Sequence, residues 1–422
     1  MAYKAPKGTR DVLPSESYKW QYIENIIREI TAKYGIREAR TPVIEHTELF
    51  LRGVGQTTDI VQKEMYTFND KGDRSITLKP EGTAGMVRLF VEHNLYADVQ
   101  PTKMYYLTNP VFRYEKPQAG RLREHHQFGV EMFGAARASA DAECISIVIE
   151  LLDRLGLKGL AVRLNSIGCP DCRPKYQAAL KEFLRENYDS LCETCRTRYE
   201  TNPLRILDCK VPSCGELLKG APVIGDFLCD DCKKHMDELT TRLELLGIKY
   251  EITPTLVRGL DYYTKTVFEV FSDQIGSQGA ICGGGRYDNL VEELGGPALP
   301  AVGFGLGMER LLLLMEETKT EIPAPERCDV YLAGLGEKGD IAAFALAQNL
   351  RALGLKCETD LVGRSLKAQM KFADKIGAGY VCILGEDEIA KNEILLKDMR
   401  DGTAIPTAID AEQINNIINQ RR

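Results

Sequence analysis

The segment 111–134, VFRYEKPQAGRLREHHQFGVEMFG, constrains the fold of this chain most strongly. Its second half alternates between an apolar face, which carries Phe128, Val130 and Met132, and a polar face, which carries Gln127, Gly129 and Glu131. Alternation with a period of two is typical of a strand that is buried on one side. The first half alternates in the same way, with Arg113 and Glu115 on one face. The segment therefore predicts an antiparallel hairpin with a polar face.

The polar face of this hairpin has two possible interpretations. It could be a solvated sheet surface with a cationic loop, since the loop carries Lys116, Arg121 and Arg123. It could also be a binding site, because exposed strand positions usually favour Thr and Lys, whereas Gly129 leaves room for a close approach to the backbone. We favour the binding site.

Two further segments are rich in glycine, which would leave their backbone exposed. In AVGFGLGMERLLLL (301–314), Gly303, Gly305 and Gly307 share one strand face, and a helix begins near Met308 with Arg310 in its first turn. Three positions without side chains would form a flat floor for a planar ring. CGGGRYD (282–288) offers a second stretch of this kind.

The remaining patterns divide the chain into an α+β domain, an insert, a linker and a small α/β domain. The predicted boundaries are 1–162 and 248–316 for the two parts of the α+β domain, 163–247 for the insert, 317–328 for the linker and 329–422 for the α/β domain. Within the α+β domain, short β-rich runs and helices predict an antiparallel sheet flanked by helices.

Charge and composition limit the possible partners. The net charge is −7 over 422 residues, so a nucleic acid would have to be met by local basic patches. The sequence has no apolar run of the ~20 residues that a membrane helix needs, and its first residues lack the apolar core of a signal peptide. We expect a cytoplasmic protein that does not bind membranes, with thiols or metal ligands and without disulfides.

The insert contains eight of the thirteen cysteines. They form four closely spaced pairs, which are Cys169 and Cys172, Cys192 and Cys195, Cys209 and Cys214, and Cys229 and Cys232. Pairs of thiolates at such spacings are typical of tetrahedral Zn²⁺ sites, which would stabilise a module with few large apolar residues. Zn²⁺ in a structural role is therefore predicted, the alternative being reduced thiols without metal. The sequence leaves open which pairs combine.

Together these segments resemble the three signature motifs of the class II aminoacyl-tRNA synthetases. YGIREARTPVIEHTELF, with Pro42, is similar to the first motif, FRYE with HHQFGVEMFG to the second, and GFGLGMERLLL to the third. RGLDYYTKTVFEV (258–270) and GGGRYDNL (283–290) resemble the histidyl-tRNA synthetase family in particular, as do TLKPEGTAG and the C-terminal GRSLKAQMKFADKIGAGYVCILGEDE.

The resemblance implies an antiparallel-sheet catalytic domain followed by an α/β anticodon-binding domain. It implies an enzyme that uses ATP and Mg²⁺ to activate L-histidine as histidyl-adenylate and then transfers it to tRNA(His). The first motif would build the interface of a homodimer. Because the carboxylate of histidine is ionised at neutral pH, its attack on the α-phosphate needs charge stabilisation and alignment but no general base.

The resemblance also implies roles for individual residues. Arg113 and Arg258 would be catalytic, since they would hold the α-phosphate from two sides. The ATP site would contain Arg113, Glu115, Arg121, His125 and Arg310. Glu81, Thr83 and Gln127 would bind the α-amino group of histidine, and Glu131 and Tyr263 would contact its imidazole ring, with Tyr262 nearby. The family often has an aromatic ring under the adenine where this chain has His125, whose imidazole can also stack.

Two alternative functions remain, of which one is a binding module and the other is an enzyme. A non-catalytic, synthetase-like regulatory subunit of ATP phosphoribosyltransferase would be a binding module. Such proteins usually lose the RGLDYYT segment and the C-terminal domain, and this chain has both. A synthetase of the same class for glycine, threonine or proline would lack the paired LDYYTKTVFE and GGGRYD segments.

Overall fold

The computed structural model describes residues 3–55, 58–272, 279–324 and 328–421. The chain forms two compact units, Met1–Ile322 and Pro323–Arg422. Residues 325–327 of the expected linker lie outside the described residues. Among the helices described, none combines the length and the apolar character needed to cross a membrane.

The first unit contains ten of the described α-helices. They are α1 (Ser17–Lys33), α2 (Thr47–Gly53), α3 (Thr83–Glu92), α4 (Ala138–Arg154), α5 (Arg173–Leu184), α6 (Glu193–Thr201), α7 (Pro212–Leu217), α8 (Asp230–Leu245), α9 (Leu290–Glu293) and α10 (Met308–Glu317). Short 3₁₀ helices cover Leu95–Ala97, Arg185–Ser190, Pro203–Asp208 and Ile224–Phe227, and a π-helical turn covers Ile60–Glu64.

Eight strands of this unit form one sheet, and they are β1 (Arg37–Glu38), β5 (Thr102–Phe112), β6 (Glu124–Phe133), β7 (Ala161–Ser166), β8 (Tyr250–Ile252), β9 (Thr264–Phe271), β10 (Ala280–Arg286) and β11 (Ala301–Gly307). Their order in the sheet is β1-β5-β6-β11-β10-β9-β7-β8. Only the edge pairs β1–β5 and β7–β8 are parallel. A small antiparallel sheet contains β2 (Ile44–His46), β3 (Tyr66–Asn69) and β4 (Ser75–Leu78).

The predicted hairpin is β5–β6, and the alternation of its second strand is confirmed. The first strand ends at Phe112, so Arg113 and Glu115 lie in the loop and not on a strand face as expected. Phe128, Val130 and Met132 lie in a core that includes residues of α1, α4 and α10. On the opposite face, a second core is built from residues of α3, α5 and the cysteine-rich insert. Because side chains alternate along a strand, the polar residues of β6 face away from the first core. The sheet thus separates the two cores and presents its polar residues on the side of α3.

The cysteine-rich insert leaves and re-enters the sheet through two neighbouring strands. β7 leads into it and runs through the expected boundary at residue 162, and β8 pairs with β7 on the return. The last helix of the insert, α8, buries Leu239 and Leu243 in the core that contains α4. The insert is therefore tied to the sheet at both of its ends.

The second unit is the predicted α/β domain. Its sheet has the order β13-β12-β14-β15-β16, with β12 parallel to both neighbours. The strands are β12 (Cys328–Gly334), β13 (Cys357–Thr359), β14 (Ala378–Leu384), β15 (Glu393–Asp398) and β16 (Ala404–Ala408), and the helices are α11 (Gly336–Ala352), α12 (Leu366–Lys375), α13 (Glu386–Lys391) and α14 (Ala411–Arg421). Val330 and Leu332 face a core with residues of α11 and α14, whereas Tyr331 and Ala333 face Ala373 of α12.

Candidate active site

Glycines on three neighbouring strands form the floor of a cleft. β11 pairs with β6 so that Gly303, Gly305 and Gly307 lie opposite Glu131, Gly129 and Gln127, respectively. A Cβ atom at Gly303 would collide with the carboxylate of Glu131, and one at Gly129 would collide with the ring of Tyr106. A Cβ atom at Gly305 or Gly307 would make only ordinary contacts, so the packing of these side chains requires glycine at positions 129 and 303.

The cleft above this floor has a volume of about 260 Å³ and is rich in arginine. Its lining includes Arg113, Glu115, Arg121, His125, Gln127, Arg258, Glu269, Gly283, Glu309 and Arg310. Four guanidinium groups against three carboxylates suit a ligand with several negative charges, such as a polyphosphate. All residues predicted for the ATP site thus line one cavity, whose lining comes from four separate parts of the sequence.

The arginines of the cleft are held by protein acceptors. Arg113 donates from Nε to the carbonyl oxygen of Pro80 at 2.8 Å, and Arg310 donates from Nη1 to that of Ala280 at 2.5 Å. Arg121 forms an ion pair with Glu115. Burial, together with Arg121 and Arg113, lowers the pKa of Arg310 to about 10. This crowding of like charges favours the arrival of an anion.

Arg258 lies in the connection 253–263 between β8 and β9, which has no regular secondary structure. Its guanidinium forms an ion pair with Glu269 of β9, and its carbonyl oxygen accepts a hydrogen bond of 2.7 Å from Nη1 of Arg205. A Cβ atom at Gly283 would collide with the same guanidinium. Glu269 and Arg205 were not predicted. For Glu269, the only available signal was its place in the segment 258–270.

His125 stands at the edge of the cleft, on β6. Burial, reinforced by Arg113 and Arg310, lowers its pKa to about 3, so the imidazole is neutral at physiological pH. The adjacent His126 does not line the cleft, and its Nδ1 lies 2.8 Å from the carboxylate of Glu309, which does. A neutral ring at position 125 is compatible with stacking on a planar base.

A second group of predicted residues surrounds Glu131, which is fully buried. Its carboxylate accepts hydrogen bonds from Thr83 Oγ1 at 2.8 Å and from the hydroxyl of Tyr287. Burial raises the pKa of Glu131 to about 8, despite these two donors and with a further contribution from Glu81. Tyr287 lies in the GGGRYD segment, but its side chain was not predicted as part of the site.

Glu81 lies next to this group at the start of α3. Its two oxygens accept the backbone N–H groups of Thr83 and Ala84, at 2.7 and 2.8 Å, so the carboxylate caps the helix. Burial raises its pKa. A carboxylate that accepts two hydrogen bonds retains lone pairs for a further donor.

Tyr262 and Tyr263 complete the buried polar group. Their ring centroids are 4.7 Å apart, and the ring of Tyr262 lies edge-on to that of Tyr287 at 5.6 Å. Burial raises the pKa of Tyr263 to about 12, so its hydroxyl remains a donor at neutral pH. The structure thus brings the predicted histidine-binding residues together in a buried group of carboxylates and hydroxyls, except for Gln127, which lines the arginine-rich cleft.

The eight cysteines of the insert form two clusters of four. One contains Cys169, Cys172, Cys229 and Cys232, and we call it the outer cluster; the inner cluster contains Cys192, Cys195, Cys209 and Cys214. In each cluster all sulfur atoms lie within 4.8 Å of one another. The first pair of the insert combines with the last, and the two middle pairs combine. The clusters are therefore nested, a pairing that spacing alone left open.

The antiparallel sheet, with its arginine-rich cleft and the separate α/β unit, defines the fold of a class II aminoacyl-tRNA synthetase. The family model for histidyl-tRNA synthetase matches residues 8–311, and that for an anticodon-binding domain matches residues 329–420. The chain belongs to the histidyl-tRNA synthetase family.

Individual relatives support this assignment over the whole chain. The histidine–tRNA ligase of Thermoanaerobacter pseudethanolicus is 60% identical, covering 99% of this chain and 100% of the relative. That of Clostridium perfringens (strain SM101) is 57% identical with the same coverage. Among solved structures, the apo histidyl-tRNA synthetase of S. aureus matches with a TM-score of 0.84 and 38% identity, covering 99% of each chain.

Proposed function

We propose that this chain is a histidine–tRNA ligase, which activates L-histidine with ATP and transfers it to tRNA(His). The observation that carries the proposal is the continuity of two sites on one sheet face. An arginine-rich cleft is connected through β6 to a buried group of carboxylates and hydroxyls, since Gln127 lines the cleft and Glu131, on the same strand, belongs to the buried group. We take this buried group to be the histidine pocket. ATP would occupy the cleft and histidine the pocket, so that the amino acid carboxylate meets the α-phosphate.

The arginines would supply the charge stabilisation that adenylate formation needs. Arg113, directly after β5, and Arg258, in the connection before β9, both line the cleft and would hold the α-phosphate between them. Arg121 and Glu115 lie in the loop of the hairpin, and Arg310 at the start of α10 would contact the γ-phosphate. Since the attacking carboxylate is already ionised, these residues act by orienting ATP and by balancing the charge that develops as pyrophosphate leaves.

The buried pocket would select histidine through its ring nitrogens. Neutral imidazole has one donor and one acceptor. Glu131 would accept from one nitrogen, and the protonated hydroxyl of Tyr263 would donate to the other. Glu81 and Thr83 would receive the α-amino group. A ligand without ring nitrogens would leave these buried polar groups unpaired, at a cost of ~1–3 kcal/mol each.

Magnesium and zinc would have different roles. Class II synthetases use ATP with Mg²⁺, and in this chain Mg²⁺ would enter with the nucleotide and neutralise phosphate charge. The two cysteine clusters suit Zn²⁺ in a structural role, because four thiolates are a common ligand set for that ion. Neither cluster contains a residue that lines the cleft.

The domain organisation and the oligomeric state that we propose follow from the same family assignment. The catalytic domain would consist of residues 1–162 and 248–316, the insert of 163–247, and the anticodon-binding domain of 329–422 after the linker 317–328. Arg364, Lys367, Lys371 and Lys375, in or next to α12, would give the second unit a local cationic surface despite the net negative charge. We infer a cytoplasmic homodimer.

Pyrophosphate exchange measured with each amino acid in turn tests the proposal. A histidine–tRNA ligase should exchange pyrophosphate into ATP with histidine alone. Exchange with glycine, threonine or proline would refute the specificity, and no exchange with any amino acid would favour the regulatory-subunit interpretation. The relatives of 57–60% identity over nearly the whole chain do not favour that alternative.

A further inference from the structure

Both cysteine clusters have the dimensions of a tetrahedral metal site. A Zn–S distance of about 2.3 Å places the sulfur atoms of a tetrahedron about 3.8 Å apart. The separation between Cys192 Sγ and Cys209 Sγ in the inner cluster is 3.9 Å, and that between Cys169 Sγ and Cys229 Sγ in the outer cluster is also 3.9 Å. Backbone N–H groups point at the sulfurs, as from Cys192 to Cys214 Sγ at 3.3 Å.

The inner cluster closes a segment that reaches the catalytic domain. Residues 196–208 lie between Cys195 and Cys209 and contain most of α6 and the 3₁₀ helix Pro203–Asp208. Both ends of this segment are therefore attached to the same group of thiols. α6 has only nine residues, and an isolated helix of that length is not stable in water. A metal at the inner cluster would hold the segment in place.

Three polar contacts connect this segment to described residues outside the insert. Arg198 Nη2 lies 2.8 Å from Asp59 Oδ2, and Asn202 Nδ2 donates to Asp261 Oδ1 at 3.0 Å. Arg205 Nη1 donates to the carbonyl oxygen of Arg258 at 2.7 Å. Arg205 is only 6% exposed, so the last of these bonds is shielded from water.

The third contact involves the backbone of a residue proposed to be catalytic. Arg258 lies in a connection without regular secondary structure, so within the described parts of the chain no sheet or helix hydrogen bonds hold its backbone. Its guanidinium is oriented by Glu269, and its carbonyl by Arg205. Displacing the backbone would misplace the guanidinium relative to the α-phosphate.

We propose that a Zn²⁺ ion in the inner cluster positions Arg258 for adenylate formation through Arg205. The inference rests on the proposed histidine activation and adds a connection from the insert to the catalytic step. Arg205 is thus a positioning residue. Since it acts on a residue that stabilises the departing pyrophosphate, its loss should lower kcat and leave the KM for histidine nearly unchanged.

Arg205→Met tests this connection without altering a cysteine. We expect the variant to retain the zinc content of the wild type and to lose about 10–100-fold in kcat of histidine-dependent pyrophosphate exchange. Arg205→Lys, which can still donate to the carbonyl, should recover part of the rate. Arg196→Met is the matched control, because Arg196 is exposed in the same segment, and it should behave as the wild type.

A double-mutant cycle then connects the metal to Arg205. Cys192→Ser with Cys195→Ser should remove one of two bound zinc ions, and the loss of kcat should not increase when Arg205→Met is added. Losses that multiply would overturn the proposal, as would normal kcat in Arg205→Met. Replacing zinc by Co²⁺ should give the absorption of tetrahedral cobalt thiolate from both clusters, and its absence from the inner cluster would also overturn the proposal.

The same experiments distinguish a wrong proposed function from a wrong positioning role for Arg205. A wild-type chain without histidine-dependent exchange would refute the function. An active wild type together with a fully active Arg205→Met variant would refute only the positioning role of the insert.

Discussion

Glu131→Gln should stabilise the substrate-free chain at alkaline pH while it weakens histidine binding. The carboxyl group is fully buried, and among the described residues Thr83 and Tyr287 alone donate hydrogen bonds to it. Burial raises its pKa from the ordinary 4.5 to about 8. Glutamine preserves the shape of the side chain and carries no charge, so the substitution removes the cost of burying an ionised group.

The size of the effect depends on pH. A pKa raised from 4.5 to about 8 corresponds to about 5 kcal/mol at ~1.4 kcal/mol per pH unit, as an upper limit. Because the folded-state pKa is the higher one, the stability contributed by Glu131 is fully present below pH 4.5 and is lost as the pH rises to 8. The glutamine amide leaves one hydroxyl without its acceptor, which costs ~1–3 kcal/mol at every pH. We therefore expect a variant that is less stable at pH 4.5 and more stable, by about 2–4 kcal/mol, at pH 8.5.

Urea unfolding followed by tryptophan fluorescence measures this difference in the free energy of unfolding for the first structural unit, which contains Glu131. Trp20 is the one tryptophan in the sequence, and it is buried in the core of the first unit. Glu48→Gln is a suitable control, because the side chain of Glu48 is 79% exposed and its charge should matter little. A Glu131→Gln variant that is less stable than the wild type at pH 8.5 would refute the reasoning.

The same variant tests the place of Glu131 in the histidine pocket. Above pH 8, where Glu131 is ionised, the KM for histidine should rise more than the KM for ATP, since the uncharged amide is a weaker acceptor for a ring N–H than a carboxylate is. Normal histidine binding with a defect only for ATP would show that Glu131 belongs to the nucleotide site.

Three further changes follow from the site. Arg258→Ala should lower adenylate formation by ~10²–10³ while the fold is preserved, and Arg258→Lys should also be poor because a point charge cannot replace a planar fork of donors; near-normal pyrophosphate exchange would contradict this role. Since the pKa of His125 is about 3, the KM for ATP should not change with pH near pH 6. If the ring of His125 serves only for stacking, His125→Phe should leave the KM for ATP unchanged. Removal of residues 323–422 should spare histidine activation and weaken tRNA charging, with the oligomeric state measured in parallel; equal charging by both forms would contradict anticodon binding by the second unit.

Local patterns in the sequence were sufficient for the elements that build the cleft. The alternation in 124–133 correctly separated the core face of β6 from its polar face, and the glycines of β11 were correctly placed on one side. Arg310 follows directly, in the first turn of α10. These features depend on a strand's period of two and on the absence of a Cβ atom, both of which are properties of neighbouring residues.

Only the tertiary structure decided which side chains meet. Tyr287 and Glu131 are 156 positions apart, and no period or spacing connects them. The nested pairing of the cysteines depends in the same way on how α5 to α8 pack, because all combinations of four half-sites have acceptable spacings. The sequence by itself determined the kinds of groups available, namely arginines, buried carboxylates and thiols. Their protonation and their partners depend on burial and long-range contact, which is why the raised pKa of Glu131 and the bond from Arg205 to Arg258 emerge only in the folded chain.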